Sequence, residues 1–137
     1  MTDIEQRQQD IIEEFEMFDS WDDKYQYIVD LGEELPPMDE SLKNDDTLVH
    51  GCQSQVWISP QEKNGRLYFT ADSDALIVKG VVRLILRMVN GATPQEIMAM
   101  DWSFLDKIGL KEHLSMNRAN GLMGMLEKLQ MYAKQYQ

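Results

Sequence analysis

The sequence holds one thiol and two imidazoles. The thiol, Cys52, stands in the run Val49-His50-Gly51-Cys52-Gln53-Ser54-Gln55-Val56-Trp57. A free cysteine most often behaves as a small buried hydrophobe. This setting points the other way. Gly51 gives the backbone freedom at the entry to a strand, and Gln53, Ser54 and Gln55 offer polar donors. Reactive thiols need access and a polarising surround, and a loop-to-strand junction supplies both.

Three readings compete for Cys52. A metal site would draw on His50 and Cys52, joined by His113 or Asp72. Zinc sites use paired ligand spacings, and one Cys with two His is a thin supply. A cysteine hydrolase needs an imidazole to take the thiol proton. His113 is the only distant candidate, with Gln53 or Gln55 donating to an oxyanion, but His113 also reads as a capping or surface residue before the last helix. A plain interaction domain with an inert Cys52 is the third reading. Arg118 is a separate oddity. If Ser115 caps the last helix, Arg118 falls in its first turn, where the helix dipole disfavours a cation. A thiolate nearby would account for it, as would a carboxylate such as Asp74; a long side chain reaching solvent is the plain alternative.

The elements that must hold these residues follow from periodicity. Thr2 and Glu5 fit a capping box. Ile4, Ile11, Ile12, Phe15 and Phe18 then predict a first helix to about Phe18. Ser20 with Asp23 opens a second helix, with Tyr25, Ile28, Val29 and Leu31 on one face and Gly32 closing it. Leu35-Pro36-Pro37 forbids continuation, and residues 36–47 read as a long loop. Val56 and Ile58, then Leu67 and Phe69, alternate with polar neighbours around Asn64-Gly65. That predicts a hairpin with a loop longer than two residues, and a short third strand near Thr47–Val49. Ser73 is expected to cap a buried central helix from Asp74 to about Asn90, with Lys79 pairing with an acid or snorkelling. Thr93-Pro94-Gln95-Glu96 is a capping box with Pro first. Short helices follow, then a last helix with the stripe Ala119, Leu122, Met125, Leu126 and Leu129. Gly121 and Gly124 in that helix suggest that another backbone, or the Cys52 loop, packs close there. The order is α+β: a small antiparallel sheet packed against several helices, one domain over residues 1–137.

Charge is divided unevenly. Residues 1–50 hold 16 acids and 3 bases, while the rest hold 8 acids and 10 bases, which accounts for the formal −11. A general nucleic-acid binder needs a basic footprint, and an anionic membrane repels such a face. A basic patch on a protein partner fits, and so does a solvated face that aids solubility. The first residues lack a basic and then apolar leader, and Ala75–Val89 is too short and too charged to span a membrane. One cysteine forms no internal disulfide. A cytoplasmic, reducing setting is expected.

The residues around Cys52 carry a family likeness. Gly51-Cys52-Gln53-Ser54-Gln55-Val56-Trp57 resembles the SufE family of sulfur acceptor proteins. Trp21-x-x-Lys24-Tyr25, Leu31-Gly32-x-x-Leu35-Pro36 and Asp72-Ser73-Asp74-Ala75-x-Ile77-Val78-Lys79-Gly80 match as well. Thr93-Pro94, His113-Leu114, Arg118 and Gly121 extend the match over nearly the whole chain. The resemblance implies an α+β fold similar to the IscU-type scaffolds. It implies a persulfide on Cys52, taken from a cysteine desulfurase of the SufS or CsdA type and passed to the SufBCD assembly machinery. Arg118, Gln53, Gln55, Gly51 and Asp74 are the expected supporting residues, with His50 a candidate outside the family pattern. No metal or cofactor is implied on this chain; pyridoxal phosphate would belong to the desulfurase. A homodimer stays open.

Overall fold

The computed structural model describes residues 3–50, 54–114 and 116–137, and the side chains of these except at 111 and 116–119. Thr2 and Ser115, two of the expected helix caps, lie outside the described residues.

Helix α1 spans Asp3–Glu16 and buries Ile11 and Phe15, one turn apart. It stops two residues before the expected Phe18, because Met17 and Phe18 donate to Glu14 and Phe15 in tighter three-residue turns. Helix α2, Trp21–Glu33, starts at Ser20, whose side chain accepts from the Asp23 N–H at 3.2 Å. Gly32 does not close it. The cap is Glu34, in right-handed conformation, and Gly32 is buried inside the helix. Its reason is packing. A Cβ on Gly32 would stand 2.8 Å from the Gly80 nitrogen, and one on Gly80 would stand 1.9 Å from the Ile28 carbonyl oxygen. The two glycines let α2 lie backbone-to-backbone on the next long helix.

Residues 36–47 are a tied loop. Met38 is buried, Glu40–Leu42 make one 3₁₀ turn, and the Thr47 hydroxyl donates to the Leu42 carbonyl at 2.6 Å. Strands β1, Val56–Lys63, and β2, Arg66–Ser73, pair antiparallel from Val56 opposite Ser73 to Lys63 opposite Arg66. The loop between them is therefore only Asn64-Gly65, shorter than expected. Both residues have positive φ, 55° and 78°, the type I′ geometry that matches strand twist and that asparagine and glycine tolerate. Val56, Ile58, Leu67, Phe69 and Ala71 point into the core. The expected third strand shrinks to one bridge, Leu48 to Trp57, leaving a two-stranded sheet among the described residues.

Helix α3, Leu76–Val89, is the buried centre, with nine of its residues buried. It begins later than expected, at Leu76 after Ala75, and has no side-chain cap. Ser73 is unavailable as that cap because it ends β2 opposite Val56. At the far end the Arg7 guanidinium donates to the carbonyls of Met88 at 3.0 Å and Asn90 at 2.8 Å, satisfying acceptors a helix end leaves open. Helix α4, Pro94–Ala99, carries the full Thr93/Glu96 capping box. Short turns α5, Phe104–Lys107, and α6, Leu110–His113, lead to α7, Met116–Gln135. Of the expected stripe of α7, Leu122, Met125, Leu126 and Leu129 are buried, continued by Tyr132 and Ala133; the Ala119 side chain lies outside the described residues. Among the described residues, no helix is long and apolar enough to cross a membrane.

Candidate functional site

The span that holds Cys52 is closed by the backbone. Val49 donates to the Val56 carbonyl at 2.8 Å, and Ile58 donates to the Thr47 carbonyl at 2.9 Å. The chain leaves this pairing at His50 and rejoins it at Val56. Gly51, Cys52 and Gln53, three of the expected site residues, lie outside the described residues. Their flanks are described, and each flank is held by a different part of the fold.

The exit flank is Gln55. Its N–H donates to the Asp74 carboxylate at 3.0 Å. Its carbonyl accepts from the Ser73 hydroxyl at 2.8 Å and from the Asp74 N–H at 3.3 Å. The Ser73 oxygen in turn accepts from Ala75 N–H at 3.2 Å. Asp72-Ser73-Asp74, the expected start of the buried helix, instead ends β2 and ties Gln55 to the link before α3. The Gln55 side chain itself is exposed.

The entry flank is His50, exposed at its side chain and seated by its backbone on α7. A Cβ on Gly124 would stand 2.6 Å from the His50 carbonyl oxygen and 3.2 Å from a Val49 methyl. The close approach expected at Gly124 is therefore present, and the chain that approaches is the one entering the Cys52 span. Gly121, one turn earlier, is buried. Arg118 falls in the first turn of α7; its side chain lies outside the described residues.

His113 and Asp72 are engaged elsewhere. The His113 ring stacks on Trp21 with centroids 3.8 Å apart. Its Nδ1 lies 2.9 Å from the Gly109 carbonyl oxygen, and the Tyr25 hydroxyl donates to its carbonyl. Lys24 stands over the same indole. Residues from separate stretches of the family likeness thus meet in one structural cluster. Asp72 faces Lys43 at 2.8 Å and Lys79 at 3.6 Å, one ammonium on each oxygen. Burial alone would push its carboxyl up; the Lys43 and Ser73 hydrogen bonds and the two positive charges outweigh it and hold the group below the ordinary value. Both oxygens of this metal-ligand candidate face cations.

Sequence reasoning missed Lys43 and Tyr132. Lys43 also stands over the Trp57 ring, and so pins the 36–47 loop to the sheet. Its signal is being the only base between Asp39 and Asp46. Tyr132 donates to the Ile58 carbonyl at 2.8 Å with the Asp46 carbonyl at 3.3 Å; nothing local marks it.

The one cysteine of the sequence thus falls in a span whose described flanks are tied on both sides, and likeness to known proteins supplies the family. Residues 9–133 match the SufE family, described as an Fe-S metabolism associated domain. An uncharacterized SufE-like protein of Rhizobium etli is 40% identical over 129 residues, covering 90% of this chain and 87% of that one. Another, of Rhizobium meliloti, is 38% identical over 139 residues, covering 98% and 96%. The solution structure of a hypothetical protein from Thermus thermophilus superposes with a TM-score of 0.79 over 95% of both chains at 20% identity, a likeness of fold. The chain belongs to the SufE family.

Proposed function

We propose that Cys52 carries sulfur between a cysteine desulfurase of the SufS or CsdA type and a SufBCD-type iron–sulfur assembly scaffold. Membership of the SufE family, with one cysteine in the chain, is the observation that supports this most directly. The Cys52 thiol first loses its proton. The thiolate attacks the outer sulfur of the donor's persulfide, as in thiol–disulfide exchange. The donor's S–S bond breaks, a new S–S bond forms on Cys52, and the donor cysteine leaves as a thiolate. No net oxidation or reduction occurs, and no metal on this chain takes part. Pyridoxal phosphate belongs to the desulfurase, which must extract sulfur from cysteine.

The supporting roles follow from placement. Asp74 and Gln55 hold the exit of the span, and His50 holds its entry. Arg118 in the first turn of α7 is read as the cation that favours the thiolate. Gly51 and Gln53 are read as residue types that leave the thiol sterically open and polar in its surround. We read the protein as one domain over residues 1–137, working in the cytoplasm as a carrier and an activator of its desulfurase more than as an enzyme in its own right. The exposed carboxylates of Asp45 and Asp46 steer the encounter through long-range charge, screened over about 8 Å at physiological salt. An association rate with the desulfurase that does not fall between low and high salt removes the steering role.

The carrier reading is tested by incubating the protein with a desulfurase and cysteine and measuring its mass. A sulfur adduct on Cys52, absent from a folded Cys52→Ser, is the expected result. A Cys52→Ser protein that still supports sulfide-independent cluster assembly at the normal rate overturns it.

A further inference from the structure

Helix α7 meets the chain that enters the Cys52 span along one stripe. Gly124, Lys128 and Tyr132 are spaced by four residues, so they share one helix face. Gly124 lies against the His50 carbonyl and Val49. The Lys128 ammonium donates to the Asp46 carbonyl at 2.6 Å, and lies over the Tyr132 ring. The Tyr132 hydroxyl donates to Ile58, which pairs with Thr47 in the same segment. Residues 46–50 are thus laid along α7 by a missing Cβ, an ammonium and a phenol in order.

The three contacts differ in how they would yield. Gly124 meets backbone, which cannot turn aside as a side chain can. Lys128 is a single bond from a flexible stem. Tyr132 is buried; burial first, then the Asp46 and Tyr136 charges, push its hydroxyl up to about 12. It therefore stays a donor at any ordinary pH. The exit of the span is tied separately at Gln55, to Ser73 and Asp74.

We propose that Gly124, Lys128 and Tyr132 are positioning residues for Cys52, setting the height at which the 46–50 segment delivers the thiol to its sulfur donor. The functional part of this rests on the carrier reading; the seating of the segment does not. A segment lifted off α7 leaves Cys52 open to a small reagent while misplacing it for a partner's persulfide. The two rates therefore move in opposite directions.

The experiment compares the wild type with Lys128→Gln, Tyr132→Phe and their double variant, with Lys134→Gln as an exposed control on the same helix. Each is measured for melting temperature, for Cys52 alkylation by iodoacetamide, and for kcat and KM of sulfur acceptance. The double variant is expected to alkylate about threefold faster, through local opening of the entry segment. Its kcat is expected to fall about tenfold with KM for the desulfurase little changed, since small misplacements cost rate steeply. Lys128→Arg restores both rates, because a guanidinium reaches the same carbonyl. A double variant that melts lower but keeps both rates within about twofold of wild type makes the stripe structural only and overturns the proposal. Should the double variant not fold, Lys128→Gln alone, which loses one bond from a half-buried side chain, is read by the same two criteria. If the wild type accepts no sulfur, the carrier reading fails and alkylation still decides whether α7 seats the segment.

Discussion

The imidazole of His113 lies flat on the indole of Trp21, with the ring planes 12° apart and the centroids 3.8 Å apart. That stack joins the start of α2 to the last residue of α6, just before α7 begins. It gives His113 a packing role that a general base would not need.

His113→Ala is therefore expected to lower stability by about 0.5–1.5 kcal/mol, the scale of an aromatic pair. His113→Phe should recover most of it, since a flat ring can replace the stack. Urea unfolding of the three proteins measures the difference. Sulfur acceptance by folded His113→Ala should persist; its complete loss would return the imidazole to the chemistry.

Asp72 predicts an acid limb in the stability curve. Its folded carboxyl titrates below the unfolded value. It therefore contributes stability fully above the unfolded carboxylate range, near pH 4, and that contribution is lost as pH falls through the lower folded value. Asp72→Asn should cost roughly 1.5–3 kcal/mol at pH 7, the scale of hydrogen bonds to charged groups. The gap to wild type should narrow as pH drops below about 4. Denaturant midpoints at pH 7 and in the acid range check this, and a gap that stays constant would show that Asp72 is not the linked group.

Gly80→Ala should be more damaging than the same change at Gly32, Gly65, Gly91, Gly109 or Gly124. The added Cβ would meet the Ile28 carbonyl, a backbone atom, at 1.9 Å. A loss of about 3 kcal/mol or more is expected, the upper end of overpacking. Gly65→Ala meets no atom within 4 Å and suffers only from its positive φ, so it should cost less. A thermal melt of the two variants side by side decides the order.

Arg118→Ala is expected to raise the apparent pKa of Cys52, because a guanidinium near a thiolate stabilises the charged form. The pH dependence of alkylation in the folded variant reads this directly. An unmoved titration with a lowered melting temperature would leave Arg118 a structural residue.

Local signals in the sequence are legible where one short segment contains both partners of an interaction. Ser20 with Asp23 and Thr93 with Glu96 behave as their spacing implies, and Asn64-Gly65 makes the expected hairpin with a tighter turn than expected. Gly32 and Ser73 mislead for the same reason. Their local context suggests a helix end and a helix cap, but their partners are Gly80 and Gln55, far along the chain. Gly124 is legible as a close approach because glycine is costly inside a helix. Lys128 and Tyr132, which complete its stripe, are ordinary helix residues until Asp46 and Ile58 are brought beside them.

The pairing of α3 with the acidic half has a consequence for the order in which the chain is made. Of the three bases before residue 50, Arg7 faces Asp3 and the end of α3, Lys24 lies over Trp21, and Lys43 bridges Glu40 and Asp72. The counter-charges for Glu34 and Glu14 are Arg83 and Arg87, both on α3. Residues 1–50 are translated with 16 acids against 3 bases, before Arg83 and Arg87 exist. Self-repulsion of that kind opposes early collapse, and the apolar faces of α1 and α2 have no central helix to cover until α3 emerges. The apolar cover for α1 and α2 and the counter-charges for Glu14 and Glu34 arrive together, on one helix.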